Sequence, residues 1–226
     1  VIFTDWYNVL STILRQGLSK LQLEIDDSQQ QQLLNYVQLL YKWNKAYNLT
    51  GKCTQEQLLT RHILDCLSIA RYLDIDNLDT DNILDIGTGA GLPGIPLAIV
   101  FPDKKFTLID SNGKKIRFLL QTLHQLAIHN TQALEANIRD YQPIDLFDII
   151  LSRALASLSD IATLSQPLLA KYGKILAMKG KYPQSELATV SNWHSEVIPT
   201  TNLCDTGARH LVIMHQNMPE IANKNI

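Results

Sequence analysis

Residues 83–94 read Ile83-Leu84-Asp85-Ile86-Gly87-Thr88-Gly89-Ala90-Gly91-Leu92-Pro93-Gly94. A short apolar run, an acidic residue and then glycines at alternate positions describe a strand that ends in a tight turn. Glycine there lets the chain reach backbone conformations that a Cβ forbids, and lets a ligand approach the main chain closely. The stretch therefore points to an α/β sheet that holds a nucleotide-like ligand at the carboxyl end of its first strand.

Downstream of this turn the hydrophobic period alternates. Strand-like apolar runs at Ile83 to Ile86, Phe106 to Ile109, Gln132 to Leu134, Phe147 to Leu151 and Ile175 to Met178 alternate with helical stretches at Ile95 to Val100, Lys114 to Leu126 and Leu158 to Ala170. That order predicts a parallel sheet built with right-handed crossovers. Two further β-like runs, Ser195 to Pro199 and His210 to His215, have no long helix between them and suit a terminal antiparallel pair.

Upstream, the period is helical. Ser28 is the expected N-cap of a helix over Gln29 to Tyr47, with Leu33, Val37, Leu40 and Asn44 along one stripe. Gln55 to Tyr72 repeats the pattern through Leu59, Ile63, Cys66, Leu67 and Ala70, and Asn48 between the two is a natural helix stop. The expected division is an N-terminal helical cap over 1–75, a sheet domain over 76–216 and a tail over 217–226.

The chain has 226 residues, 46% hydrophobic, with a net charge of -2 and a mean hydropathy of -0.04. That is enough to bury one sizeable core with a small appendage. The most apolar stretch, Leu92 to Phe101, is short and broken by Pro93 and Pro96, so no membrane span is expected. The opening Val1-Ile2-Phe3-Thr4-Asp5 lacks a basic region before its apolar residues, and a cytoplasmic location is the default expectation. Cys53, Cys66 and Cys204 are odd in number and show no C-x-x-C spacing, which suggests reduced structural thiols rather than a disulfide framework or zinc site. The charge balance carries no global signature of a nucleic-acid binder, so any RNA contact must come from a local patch.

Two ligands compete for the glycine turn. Gly89-x-Gly91-x-x-Gly94, with Asp110 about 20 residues on, satisfies the dinucleotide fingerprint. Counted from Asp85, the pattern is acidic-x-Gly-x-Gly-x-Gly, the turn that S-adenosylmethionine-dependent methyltransferases use after their first strand. The second counting uses more of the residues. The roughly 130 residues that follow also suffice for one doubly wound sheet but not for a separate substrate domain.

Polar residues near strand ends gain meaning on this scaffold. Asp110, just after the second strand, is placed to accept hydrogen bonds from ribose hydroxyls, although as an acidic residue before a helix it also suits that helix's dipole. Asn137-Ile138-Arg139-Asp140 follows the third strand, where backbone groups and an apolar side chain can grip an adenine edge or simply make a turn. Ser152-Arg153-Ala154 follows the fourth, and an arginine ending an apolar strand is normally held by a carboxylate or a ligand.

Several ordered segments resemble one family. They are Tyr47-Asn48-Leu49-Thr50, Arg61-His62-Ile63-Leu64-Asp65, the glycine turn continued through Ile95-Pro96, Asp110 through Leu119, Ser152-Arg153-Ala154-Leu155-Ala156-Ser157-Leu158 and Met178-Lys179-Gly180. Together they resemble the ribosomal RNA small-subunit methyltransferase G family, also called glucose-inhibited division protein B, from about residue 40 to 215. Departures are Ala90 for proline, Asn112 for leucine, Cys66 for serine, Gly51 for alanine and Leu155 for phenylalanine. The resemblance implies a class I methyltransferase fold, which is Rossmann-like: a mostly parallel seven-stranded sheet with helices on both faces behind the helical cap. It implies S-adenosylmethionine as donor, becoming S-adenosylhomocysteine. It also implies, as acceptor, a guanine N7 in the 530 loop of 16S ribosomal RNA (guanine 527). By matching positions, Gly87, Leu92, Ile138, Arg139 and Arg153 become cofactor contacts beside Asp85, Gly89, Gly91 and Asp110.

Guanine N7 presents an in-plane lone pair and carries no proton, so its attack on a methyl group needs alignment rather than a general base. No catalytic acid or base is therefore assigned, and Arg153 is the candidate for orienting donor and base. Candidate RNA contacts are Arg61, Lys114, Lys115, Arg117, Lys179, Lys181 and Arg209, each of which can equally be a solvated surface charge, and Arg61 and Asp65 can pair across one helical turn. Aromatic residues are only 7%, with Tyr141 and Tyr182 the available base stackers. The partner expected is 16S RNA or the small ribosomal subunit, with no metal, no membrane and a monomeric protein. The alternatives are a methyltransferase acting on a small molecule or protein, and a noncatalytic cofactor-binding or ribosome-assembly protein.

Overall fold

The structure, a computed structural model, describes residues 2–73, 82–201 and 207–217. The boundary expected near residue 75, most of the expected tail and Cys204 lie outside the described residues. Helix α1 (Ile2–Leu21) and helix α2 (Asp27–Tyr47) open the chain. The N-cap of α2 is Asp26 rather than the expected Ser28. With Asp26 as cap, Gln29 falls three residues on and closes a reciprocal capping box, whereas Gln31, three residues after Ser28, is bonded to Tyr7 and Asn35 instead. Asn48 ends α2 in the left-handed region, as its short polar side chain permits.

The second expected helix is broken up. Thr54 caps α3 (Gln55–Leu58), a wide π turn occupies Leu59–Ile63, α4 (Leu64–Leu67) follows, and Ala70–Leu73 form a tighter 3₁₀ turn. π turns inside helices recur at functional sites.

The remainder alternates as the sequence pattern requires: β1 (Asn82–Ile86), α5 (Gly94–Val100), β2 (Lys105–Asp110), α6 (Gly113–Gln125), β3 (Thr131–Glu135), β4 (Phe147–Arg153), α7 (Leu158–Ser165), β5 (Leu169–Lys179), α8 (Gln184–Leu187), β6 (Trp193–Pro199) and β7 (His210–Gln216). The helix expected to run to Ala170 stops at Ser165. Pro167 sits in a 3₁₀ turn there, unable to donate to a continuing ladder, and β5 begins at Leu169. The seven strands form one sheet in the order β3-β2-β1-β4-β5-β7-β6, parallel except for the terminal pair, since β7 runs antiparallel to both β5 and β6. The order reverses between β1 and β4, the switch point beside which open α/β sheets bind their ligands.

Side-chain alternation sorts the strands onto two cores. Ile83, Ile149, Leu151, Leu176, Met178, Leu211 and Ile213 face a cluster that continues through α5 and α6 into Leu14, Leu33, Leu40, Leu59 and Leu67 of the helical cap. Leu84, Ile86, Ile150, Ile175, Ala177, Val212 and Met214 face α7 and α8. The cap and one face of the sheet therefore share a continuous core. Polar ties reinforce it: the Gln29 amide donates to the carbonyls of Ile99 and Val100, and the Gln32 amide to that of Leu126.

Candidate active site

At the end of β1 the chain turns through Gly87 and Gly89, both with φ near +60° (62° and 63°), a region in which a side chain would be strained. A Cβ on Gly89 would meet nothing nearer than the Gly87 carbonyl at 3.9 Å, so this position leaves open space against the backbone. Gly91 and Gly94 serve packing: a Cβ there would strike Ile95 and Leu119, or Leu108 and Asp85.

Two carboxylates hold this turn from opposite sides. Asp85 is only 1% exposed, and its Oδ2 accepts from the Thr88 hydroxyl at 2.7 Å and the Gly94 N–H at 2.9 Å. Burial pushes the Asp85 carboxyl up to about 7 against those two bonds and the charge of Arg153. Its Oδ1 has no partner among the described residues. Asp110 Oδ2 accepts from the Gly89 N–H and from Lys115 Nζ, both at 3.0 Å, while Oδ1 accepts from the Asn112 N–H at 2.9 Å. Asp110 thus tethers the glycine turn and the start of α6 together.

A cavity of about 300 Å³ opens over these carboxyl ends, lined among others by Gly87, Asp110, Lys115, Ile138, Ala154 and Leu155. Asp85 lies beneath it, bracing the turn. Gly91, against Ile95 and Leu119, and Leu92, in the core, do not line the cavity. Arg139 is exposed, its N–H donating to Asn137 Oδ1, and it does not line the cavity.

Arg153 points the other way. Residues 149, 151 and 153 share the cap-facing side of β4, and the guanidinium enters the cap. There it donates to the Arg61 carbonyl at 3.3 Å and to Cys66 Sγ at 3.2 Å, lies 2.7 Å from His62 Nδ1, and pairs with Asp65 Oδ2 at 3.5 Å. The Arg61–Asp65 pair expected along the helix is replaced by this one. Through the π turn the Asp65 carboxylate is taken up by Arg153 and, at 3.2 Å from Oδ1, by Arg209. Burial and the charges of Arg153, Arg61 and Arg209 hold the His62 imidazole down at about 4, so it is neutral and its Nδ1 accepts from Arg153. Burial raises the Asp65 carboxyl, with both arginines opposing.

These groups border a second cavity of about 280 Å³, lined by Asp65, Arg153, Ala154, Met178, Arg209 and His210, with Lys179, Gly180 and Thr200. Ala154, held at a φ of 52°, is a wall of both cavities. A larger cleft of about 640 Å³ lies at the amino ends of β1 to β4, where Tyr141 lines it, far from the glycine turn.

Of the expected RNA contacts, Arg61, Lys114, Arg117 and Lys181 are exposed. Lys179 is not a free surface charge: its Nζ donates to the Ala156 carbonyl and pairs with Glu186, both at 2.8 Å. Lys115 is tied to Asp110 and Arg209 to Asp65. Tyr182 is exposed, with its ring edge-on to His210. Nothing in the spacing of His62 and Asp65 signals these contacts, because Arg153 and Arg209 lie in distant segments. Among the described residues no group of His, Cys, Asp and Glu is arranged to hold a metal, and no helix is long and apolar enough to cross a membrane.

A family model described as rRNA small subunit methyltransferase G matches residues 29–212. The chain belongs to that family. A relative of the same name from Alteromonas mediterranea is 48% identical over 206 residues, covering 90% of this chain and 95% of its own. Another, from Marinobacter nauticus, is 46% identical over 207 residues, covering 89% and 92%. Among solved structures, a magnesium protoporphyrin IX methyltransferase from Synechocystis with bound SAM superposes with a TM-score of 0.58 at 10% identity, over 80% of this chain and 97% of that one. The tRNA (m1A58) methyltransferase from Aquifex aeolicus gives 0.55 at 15% identity over 69% of each. At that identity the likeness shows the fold alone, the class I methyltransferase sheet. Membership of the methyltransferase G family makes the protein an S-adenosylmethionine-dependent methyltransferase, and the site has the features such a donor needs. The open space at Gly89, the Asp110 carboxylate on the cavity wall and the apolar Ile138 opposite fit a ribose and an adenine ring.

Proposed function

We propose that the protein transfers a methyl group from S-adenosylmethionine to N7 of a guanine in the 530 loop of 16S ribosomal RNA, guanine 527 by family resemblance. The observation that carries the reading is the pair of cavities meeting at Ala154, one beside the glycine turn and one rimmed by arginines, in a chain of the methyltransferase G family. When bound, the donor supplies an electrophilic methyl group on a sulfonium.

This chain's residues then do three things. Gly89 and Asp110, with Gly87 and Ile138, seat the nucleoside part; the ribose hydroxyls donate to acceptor capacity that Asp110 retains beyond its three protein bonds. Arg153, fixed by His62, Cys66 and Asp65, keeps the end of β4 in one position, so that Ala154 separates donor from acceptor at a constant distance. The exposed Arg61, Lys114, Arg117 and Lys181 approach the RNA backbone. Leu92 and Gly91 act through the shape of the turn, and Arg139 through its backbone. No residue is assigned as a proton acceptor, because N7 carries no proton to lose. The natural partner in this reading is 16S RNA or the assembled small subunit, met in the cytoplasm by a monomer whose cap domain is the segment up to about residue 75.

The test is mass spectrometry of 16S RNA after small subunits are incubated with the protein and isotopically labelled donor. One 7-methylguanosine is expected, at one position cleavable by borohydride and aniline. Label on protein, on a small molecule or at many RNA positions overturns the reading.

A further inference from the structure

We infer that Asp65 reads the Watson–Crick edge of the acceptor guanine in the arginine-rimmed cavity and is the residue that makes this site specific for guanine. The inference rests on the function proposed above.

A carboxylate offers about four acceptor positions and no donor. The Asp65 oxygens each face one arginine, Oδ2 towards Arg153 and Oδ1 towards Arg209, and the residue still lines the cavity, 11% exposed. Acceptor capacity is thus left over beside a space whose other walls include Lys179, Thr200, Met178, His210 and Ala154. The cations at this cavity are each already paired, Arg153 and Arg209 with Asp65 and Lys179 with Glu186, and the carboxylate among them favours a ligand with adjacent N–H donors. Guanine supplies such a pair, N1–H and the 2-amino group. Adenine presents a lone pair at N1 instead, which would face the carboxylate lone pairs, and cytosine and uracil have no purine N7.

The geometry of the base completes the case. N7 lies on the Hoogsteen edge, which adjoins the Watson–Crick edge at O6, so a base docked on Asp65 through N1–H and the amino group keeps N7 clear of the carboxylate, with its lone pair turned to one side. Ala154 is the wall shared with the donor cavity. Reading a base by this edge requires it to be unpaired and turned into the pocket, as enzymes acting on single bases do. The Met178 side chain supplies a soft apolar surface for its ring.

Asp65 also acts on the rate. In the transfer the N7 lone pair forms the new N–C bond while the S–C bond breaks, and its electron pair stays on sulfur. The positive charge therefore moves from sulfur to the purine ring, which makes N1–H and the amino group stronger donors. Their bonds to a fixed carboxylate strengthen as the reaction proceeds, which lowers the barrier rather than merely improving binding. Asp65 thereby counters the cationic Arg153 and Arg209, which alone would oppose charge build-up on the base.

The experiment compares small subunits carrying guanine or inosine at the target position, inosine lacking only the 2-amino group. Wild-type protein is expected to lose at least about tenfold in kcat/KM on inosine, the loss of one bond to a charged group. In Asp65→Ala the guanine rate falls, and guanine and inosine become equal within about twofold. Asp65→Asn, which keeps the side-chain volume and one acceptor oxygen and so holds the fold, gives the same narrowing. Equal rates on guanine and inosine in the wild type, or undiminished discrimination in either variant, overturn the assignment. Failure of wild-type protein to methylate any 16S guanine is a different result, which removes the proposed function and this inference with it.

Discussion

The hydroxyl of Tyr36, on the second cap helix, donates to the main-chain carbonyl of Ala90 in the glycine turn at 2.5 Å, in a position closed to solvent. The second helix thereby braces the glycine turn. Replacing Tyr36 by Phe leaves a buried carbonyl without a partner, which costs about 1–3 kcal/mol. Tyr36→Phe is expected to lower Tm, and also to weaken S-adenosylmethionine binding by freeing the turn. Calorimetry and a melting curve check both, and normal donor affinity would separate the cap from the site.

The space at Gly89 gives a sharper expectation. A valine there must hold a β-branched residue at a φ of 63° and place its side chain where only a ligand would stand. Strain of that kind is about 1–3 kcal/mol. Gly89→Val should weaken donor binding by at least tenfold, read by isothermal titration, and lower Tm through the backbone strain alone, because no protein atom is displaced.

Asp110 is expected to behave differently from a residue that only touches ligand. Because it accepts from Gly89, Asn112 and Lys115 at once, Asp110→Ala should lose both stability and donor affinity, each on the order of 1.5–3 kcal/mol for bonds to a charged group. A loss of affinity with unchanged Tm would show that its protein bonds contribute little to the fold.

Two buried groups make opposite contributions to stability against pH. His62 is held at about 4, below its ordinary 6.5, so between these values the unfolded chain binds more protons and stability falls as the pH drops, by up to about 3 kcal/mol. Asp85 is raised from 3.8 to about 7. The folded chain binds more protons over that range, and stability falls as the pH rises. The two slopes largely cancel in the wild type between pH 4 and 6.5. Relative to wild type, His62→Gln should gain stability on acidification, and Asp85→Asn should gain it as the pH rises from 4 to 7. Urea titrations at a series of pH values check the signs, and parallel curves for wild type and either variant would refute the environment assigned to that residue.

These residues also mark how far the sequence could be read. The period change near residue 82 exposes the parallel strands, since alternation and turn chemistry are local, and the β6–β7 pair is visible for the same reason. The helix end at Ser165 was obscured because the apolar stripe runs past Pro167. Ser28 and Asp26 are both good caps, and only the reciprocal bond of Gln29 chooses between them. The glycine turn and Asp110 are legible because a local motif creates them. The Arg153 surroundings are not, because Cys66, His62 and Asp65 come from a π-turned helix some 90 residues earlier, and no spacing rule joins them to β4.

The same distinction sorts the basic residues. A lysine whose charge is already neutralised gains little from meeting a phosphate and loses its protein partner when it does. Lys179 is bound to Glu186 and the Ala156 carbonyl, and Lys115 to Asp110, so charge reversal at either should lower Tm or donor affinity first. The exposed Lys114, Arg117, Lys181 and Arg61 have the opposite expectation. Reversing any one of them should weaken 16S RNA binding uniformly, reduce the slope of log affinity against log salt by about 1 where a phosphate contact is lost, and leave donor binding intact. Filter binding across a salt series reads this directly. If Lys179 or Lys115 variants change the salt slope while the four exposed positions do not, the RNA approaches by a different face.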